Sequence, residues 1–237
     1  MNSEEFFVNV VLVFVCYAYI ALIIVVSSKM NKRSSIPQKY SRKFLHMMIG
    51  NLPFLIPFFT SNIYPVVVAA PFIPITFFAS PHSPIKSLSK KMKGLADITE
   101  EGHHLGLVFY SIAYTILALL FASGPNVAVV AAGVLPMAYG DAAASLVGEK
   151  FGRWRYKLIV EKSVEGSAAM FFFSFVSFAT SLAYFSMFYP SLFEKIYAAF
   201  VVAAVATLAE GFSPLGFDNL TVPAFGALAF LLLNGGV

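Results

Sequence analysis

The chain has 237 residues, 59% of them hydrophobic and only 12% charged, and its mean hydropathy is +0.79. Soluble domains carry about 25% charged residues, so a water-exposed globule of this length is excluded and the bilayer is the solvent that suits the composition. The net charge of +4 and pI near 9.1 do not point to nucleic acid, because the basic residues lie in short loops between apolar runs and no basic-aromatic binding pattern is present.

In chain order, the first apolar run covers residues 6–26. It lacks the basic start and small-residue cleavage site of a signal peptide, and is expected to remain as a membrane helix. Cys16 lies within it and, as the single cysteine, can form no intramolecular disulfide. A basic stretch, 29–43, leads to a second span over 44–59, where Pro53 and Pro57 predict a kink. A third, over 63–78, carries Pro65, Pro71 and Pro74 and is expected to bend or break. A polar loop follows, then a fourth span over 105–121. The Gly124-Pro125-Asn126 turn leads to a fifth over 127–147. A basic loop, 148–165, precedes the sixth over 166–188, and the seventh covers 196–209. A short apolar run over 223–233 closes the chain. The expectation is an all-α polytopic bundle of about seven spans, six to eight, forming a single membrane-embedded domain over 1–237.

All of the 16 Lys and Arg except Lys195 fall in alternate loops. The positive-inside rule then puts the N-terminus outside and those loops in the cytoplasm. The membrane would be the cell membrane in a prokaryote and the endoplasmic reticulum in a eukaryote.

Four polar clusters fall at the same helix ends. RKFLHMMIG (42–50) sets Arg42 and Lys43 at the start of a span, with His46 one turn deeper. Two cations at a helix N-terminus make an anion trap, though the same pair could merely fix topology. His46 inside an apolar run favours function. YGDAAASLVGEKFG (139–152) holds Asp141 roughly 10 Å inside its span, where a lone carboxylate costs about 2.5–3.5 kcal/mol. A phosphate-bearing divalent cation would stabilise it, and so would an ion pair to Lys or Arg. KSVEG (162–166) supplies Lys162 for phosphate and Glu165 for metal or hydroxyl, while Ser163 also reads as an N-cap. In the run 210–223, Glu210, Asp218 and Asn219 are oxygen donors with no basic neighbour in the segment, which suits Mg²⁺ or Ca²⁺. Asp218-Asn219 also reads as an ordinary turn, and the Asn219-Leu220-Thr221 sequon is discounted on the cytoplasmic side. His103 and His104 read as interfacial residues. No phosphate loop, dinucleotide fingerprint or zinc motif is present.

Cations and acidic oxygens at one membrane face suit phosphoryl transfer between a water-borne nucleotide and a membrane-embedded alcohol. The four clusters resemble, in order, the R-K-x-x-H-x-x-x-G, G-D-A-x-A-x-x-x-G-x-x-x-G, K-S-x-E-G and D-N-L-x-x-P motifs of the polyprenol kinase family. That family includes dolichol, phytol and geranylgeraniol kinases and CTP-dependent diacylglycerol kinases. The resemblance implies a CTP-dependent kinase acting on a lipid alcohol of the dolichol or polyprenol type, with Mg²⁺ or another divalent cation as cofactor. It implies catalytic roles for Asp141, Lys43, His46 and Glu165. It implies nucleotide or phosphate contacts from Arg42, Lys43, Gly140, Gly148, Gly152, Lys162 and Asn219, and metal binding by Asp141, Glu165 and Asp218. Its partners would be nucleotide, lipid alcohol and bilayer. A diacylglycerol kinase and a CTP:phospholipid cytidylyltransferase are the rival enzymes. An ion-coupled transporter using Asp141 and His46 is the non-enzyme rival, disfavoured by the one-sided clusters and missing repeat.

Overall fold

The computed structural model describes residues 3–32, 37–87, 105–214 and 216–234. His103, His104, Lys90, Lys91 and Lys93 lie outside the described residues. Helix α1 is Ser3–Lys32 and α2 is Gln38–Ile49. A 3₁₀ segment, Leu52–Phe58, precedes α3 (Ile63–Ala69) and α4 (Phe72–Ala79). Then come α5 (Gly106–Phe121), α6 (Val127–Leu135) and α7 (Asp141–Phe151). Helices α8 (Val164–Phe185), α9 (Ala198–Phe212) and α10 (Asp218–Leu233) complete the bundle.

Among the described residues, three helices are long and apolar enough to cross a membrane: Ser3–Met30, Gly124–Phe151 and Val164–Phe185. Four shorter apolar helices accompany them: Ile63–Ala79, Gly106–Phe121, Ala198–Phe212 and Asp218–Leu233. The expected second span, 44–59, is not one helix. It breaks at Gly50 and Asn51, and the proline-containing stretch beyond tightens into 3₁₀ geometry. The third divides at Ala70–Pro71, as its prolines predict. The basic loop contains the one departure from all-α among the described residues. Strand β1 (Arg155–Lys157) pairs antiparallel with β2 (Glu161–Ser163), with Tyr156 opposite Lys162.

The centre of the bundle is the helix running through Gly124–Phe151, 89% buried over its most apolar window, against 22% for α1. Small residues make this possible. Ala128, Ala131 and Ala132 are fully buried, and a Cβ on Gly133 would come within 2.6 Å of Leu117 and 2.8 Å of the Pro223 carbonyl oxygen. From the facing helix, a Cβ on Gly226 would come within 2.4 Å of the Ala132 carbonyl oxygen. Helices α6 and α10 therefore meet backbone to backbone, as small residues allow in a membrane. Pro136 has no N–H for the Ala132 carbonyl, and the helix relaxes into a π turn, Pro136–Gly140, immediately before Asp141.

Large apolar side chains cover the outside: Phe14 on α1, Leu120 on α5, Phe172 on α8 and Phe200 on α9 are all exposed. A surface of this kind is stable against lipid and not against water. The α6–α10 crossing is sensitive to one added side chain. Gly226→Leu is expected to destabilise the detergent-solubilised protein by about 1–3 kcal/mol, read as a lower thermal midpoint. A variant as stable as the parent would show that the two backbones are not in contact.

Candidate functional site

Helix α2 is held over the π turn from several directions. Ser27 donates from α1 to the Ser41 carbonyl at 2.8 Å, a buried bond. Lys39 pairs with Glu149 of α7. A Cβ on Gly50 would lie 2.3 Å from that of Ala138, so the end of α2 rests on the π turn itself. Beside the break, Tyr139 donates to Asn51 Oδ1 at 2.6 Å, and Tyr19 donates to the Met48 carbonyl at 2.8 Å. These contacts bring Lys43 Nζ to 2.7 Å from Asp141 Oδ2, with both side chains largely buried. The ion pair that the sequence offers as one answer to the buried carboxylate is thus present, and its partner is Lys43.

The third and fourth clusters arrive from the other side. Ser163 is the N-cap of α8, accepting from the Gly166 N–H at 3.1 Å. Lys162, just before it, reaches Glu210 at the end of α9, whose side chain is only 4% exposed. The run 210–223 contains no basic residue, but the fold supplies one. Burial alone would push the Lys162 ammonium down, yet Glu210 more than offsets this and holds it above the ordinary lysine value. Gly216 adopts φ of 82°, a conformation that favours glycine, and turns the chain sharply into α10. Asp218 then lies in the first turn, where Asn219 donates to its Oδ1 from the backbone at 2.9 Å and from Nδ2 at 3.0 Å. The Ser213 and Thr221 hydroxyls bond across the same turn.

All four clusters open onto one cavity of about 370 Å³, within the size range of small-ligand sites. Arg42, Lys43, His46, Asp141, Gly148, Lys162, Asp218 and Asn219 line it. Three expected residues do not. The Glu165 carboxylate faces away and accepts the N–H groups of Arg153 at 3.0 Å and Trp154 at 3.3 Å, fastening the hairpin to α8. Gly140 lies where a Cβ would come within 2.2 Å of Ser174 Oγ, and Gly152 where one would come within 2.2 Å of the Gly148 carbonyl oxygen. Both serve close packing. Gly148 does so too, facing Gly166 across the α7–α8 crossing.

Sequence reasoning passed over several lining residues: Ser145, Arg155, Glu161 and Ser167. Arg155 pairs with Glu161 at 3.0 Å across the hairpin, and Tyr156 bonds Ser167 at 2.6 Å. Nothing in a charged loop marks which residues a three-residue hairpin will turn inward. Ser145 was the recoverable one, a single turn beyond Asp141 on the same helix face.

No cluster of three or more metal-ligating side chains occurs among the described residues. Asp141 and Asp218 nevertheless share the cavity, and Mg²⁺ is typically held by one or two carboxylates plus substrate phosphates. The donor set therefore fits a cation that arrives with a polyphosphate.

Cations and carboxylates lining one cavity, at the end of apolar helices, are the arrangement a membrane-bound phosphotransferase requires. The chain belongs to the polyprenol and phytol kinase family. It is 31% identical over 217 residues to the phytol kinase of Synechocystis sp., covering 89% of this chain and 86% of that one. It is 29% identical over 217 residues to the chloroplastic phytol kinase 1 of Arabidopsis thaliana, covering 87% and 70%. It is 28% identical over 223 residues to the probable chloroplastic phytol kinase of Triticum aestivum, covering 87% and 71%. No family model and no solved structure matches the chain.

The Lys43–Asp141 pair generates a stability prediction. Lys43→Met leaves a buried carboxylate without its counter-charge and is expected to cost about 3–5 kcal/mol. Lys43→Met with Asp141→Leu is expected to recover most of it. Thermal unfolding of the two purified variants checks this, and a single variant with no loss would remove the pair from the structural argument.

Proposed function

We propose that the chain transfers the terminal phosphate of CTP to the hydroxyl of an isoprenoid alcohol, at the cytoplasmic end of its helices. The observation that carries this reading is that four sequence clusters spread over residues 42–223 meet on one cavity, with basic and acidic side chains interleaved. The names of the relatives put phytol ahead of dolichol-type polyprenols among the acceptors. CTP as donor rests on the motif resemblance.

In this reading Arg42, Lys43 and Lys162 take the nucleotide phosphates. Lys43 and Lys162 are paired with carboxylates, so a polyphosphate enters by exchanging one anion for another and no bare charge is buried. Asp141 and Asp218 would hold Mg²⁺, which neutralises charge building on the transferred phosphate. Asn219 fixes the Asp218 carboxylate. The alcohol oxygen bonds to the terminal phosphorus, the bond to the bridging oxygen breaks, and CDP leaves. His46 receives the hydroxyl proton. The Gly148–Gly166 approach keeps α7 and α8 close enough for Asp141 and Lys162 to share the site.

The test is purified protein in detergent with γ-³²P-labelled CTP, Mg²⁺ and phytol, geranylgeraniol, dolichol and diacylglycerol in parallel. Label is expected in an isoprenoid phosphate. It should be lost on chelation, restored by Mg²⁺, and reduced at least ~10²-fold in Asp141→Asn. Cytidine carried onto a lipid phosphate from α-labelled CTP would overturn the kinase reading in favour of a cytidylyltransferase.

A further inference from the structure

A second cavity adjoins the first. It is a narrow apolar cleft of about 60 Å³ between α1, the end of α2 with the 3₁₀ segment, α3, α4 and α5, lined by residues that include Ile20, Ile49, Val68, Ala69, Phe72 and Tyr114. Leu107 lines both cavities. At the junction, the ring of Tyr110, a cleft residue, meets the ring of His46, a residue of the polar cavity, edge to face with centroids 4.7 Å apart. Tyr110 Oη and His46 Nε2 are both buried and neither has a hydrogen-bond partner among the described residues. An orphaned buried polar atom is unfavourable, and two of them on rings in contact, where apolar and polar space meet, call for a shared ligand group. A hydroxyl both donates and accepts, so one alcohol oxygen can satisfy the two together. The flanking surface suits hydrocarbon, because the cleft is walled mainly by aliphatic and aromatic side chains and its two hydroxyls, Thr76 and Ser111, donate to carbonyls of their own helices.

We infer that this cleft is the acceptor subsite: the carbons nearest the hydroxyl of the lipid alcohol lie among α1, α2, α3, α4 and α5, the rest of the chain runs out into the bilayer, and the hydroxyl meets Tyr110 and His46. The inference rests on the kinase reading for the identity of the alcohol, and it adds Tyr110 as an acceptor-binding residue. The chain reaches the cleft from the bilayer and never crosses water, while the nucleotide reaches the same junction from the polar side. Ala69, small and buried in the cleft wall, controls how much chain can enter.

The test uses the whole protein in detergent. A long isoprenoid alcohol with a diazirine close to its hydroxyl end is photolysed without nucleotide, and the labelled peptides are sequenced. Label is expected within residues 20–24, 49–52, 68–76 and 107–114. Label on the outer faces of α8 and α9, or spread evenly over the apolar surface, overturns the subsite. Two variants add a kinetic readout. Ala69→Phe is expected to lower kcat/KM for phytol about tenfold relative to a short isoprenoid alcohol. Tyr110→Phe, which keeps the ring, is expected to raise KM for the alcohol about tenfold. Both should leave KM for CTP unchanged, and an equal loss for long and short alcohols in Ala69→Phe would count against the cleft. The two readings separate cleanly. Absence of phosphorylated product from the parent protein sinks the kinase while the photolabel still judges the cleft; phosphorylation with label elsewhere sinks the cleft alone.

Discussion

A carboxylate on the most buried helix of a membrane bundle is the constraint from which the rest follows. Asp141 cannot sit there ionised without a counter-charge. Lys43 supplies it, and placing Lys43 requires α2 to lie across the π turn. That in turn requires the Gly50–Ala138 contact, the Ser27–Ser41 bond and the polar network about Asn51. The break in the second expected span is part of the same arrangement, since a continuous helix would carry the chain past the turn on which α2 must end.

Ion pairing also shapes the chemistry the site can perform. Lys43, Lys162 and Arg155 are each matched with an acid around one cavity. Such a site is close to neutral, which lets the bundle hold so many charges near apolar helices.

Much of this was legible in the sequence. Composition points to the bilayer as solvent, and the prolines at 53, 57 and 71 mark stretches where helices yield. His46, Asp141, Lys162 and Asp218 could be named because a charge or imidazole inside or beside an apolar run has few innocent explanations. What was not legible depended on pairing across the fold. Glu165 sits in a motif beside Lys162, and nothing local says that its carboxylate turns back to the Arg153 and Trp154 amides. Gly140 and Gly152 occur in a motif that reads as nucleotide-binding, and only the packed helices reveal that each is small because another chain segment lies against it. Tyr110 is one of 11 tyrosines, and its position at a junction between two cavities has no signature along the chain.

The hairpin at the mouth of the site has a spectroscopic consequence. Trp154, the only tryptophan in the chain, is 73% exposed beside β1, and its backbone is tied through Glu165 to the first turn of α8. Its neighbour Arg155 lines the polar cavity. Indole emission from this protein thus comes from a single fluorophore at the rim, whose colour reports the polarity around the hairpin. Changes in the surroundings of the hairpin can therefore be followed in unmodified protein, with light and no label.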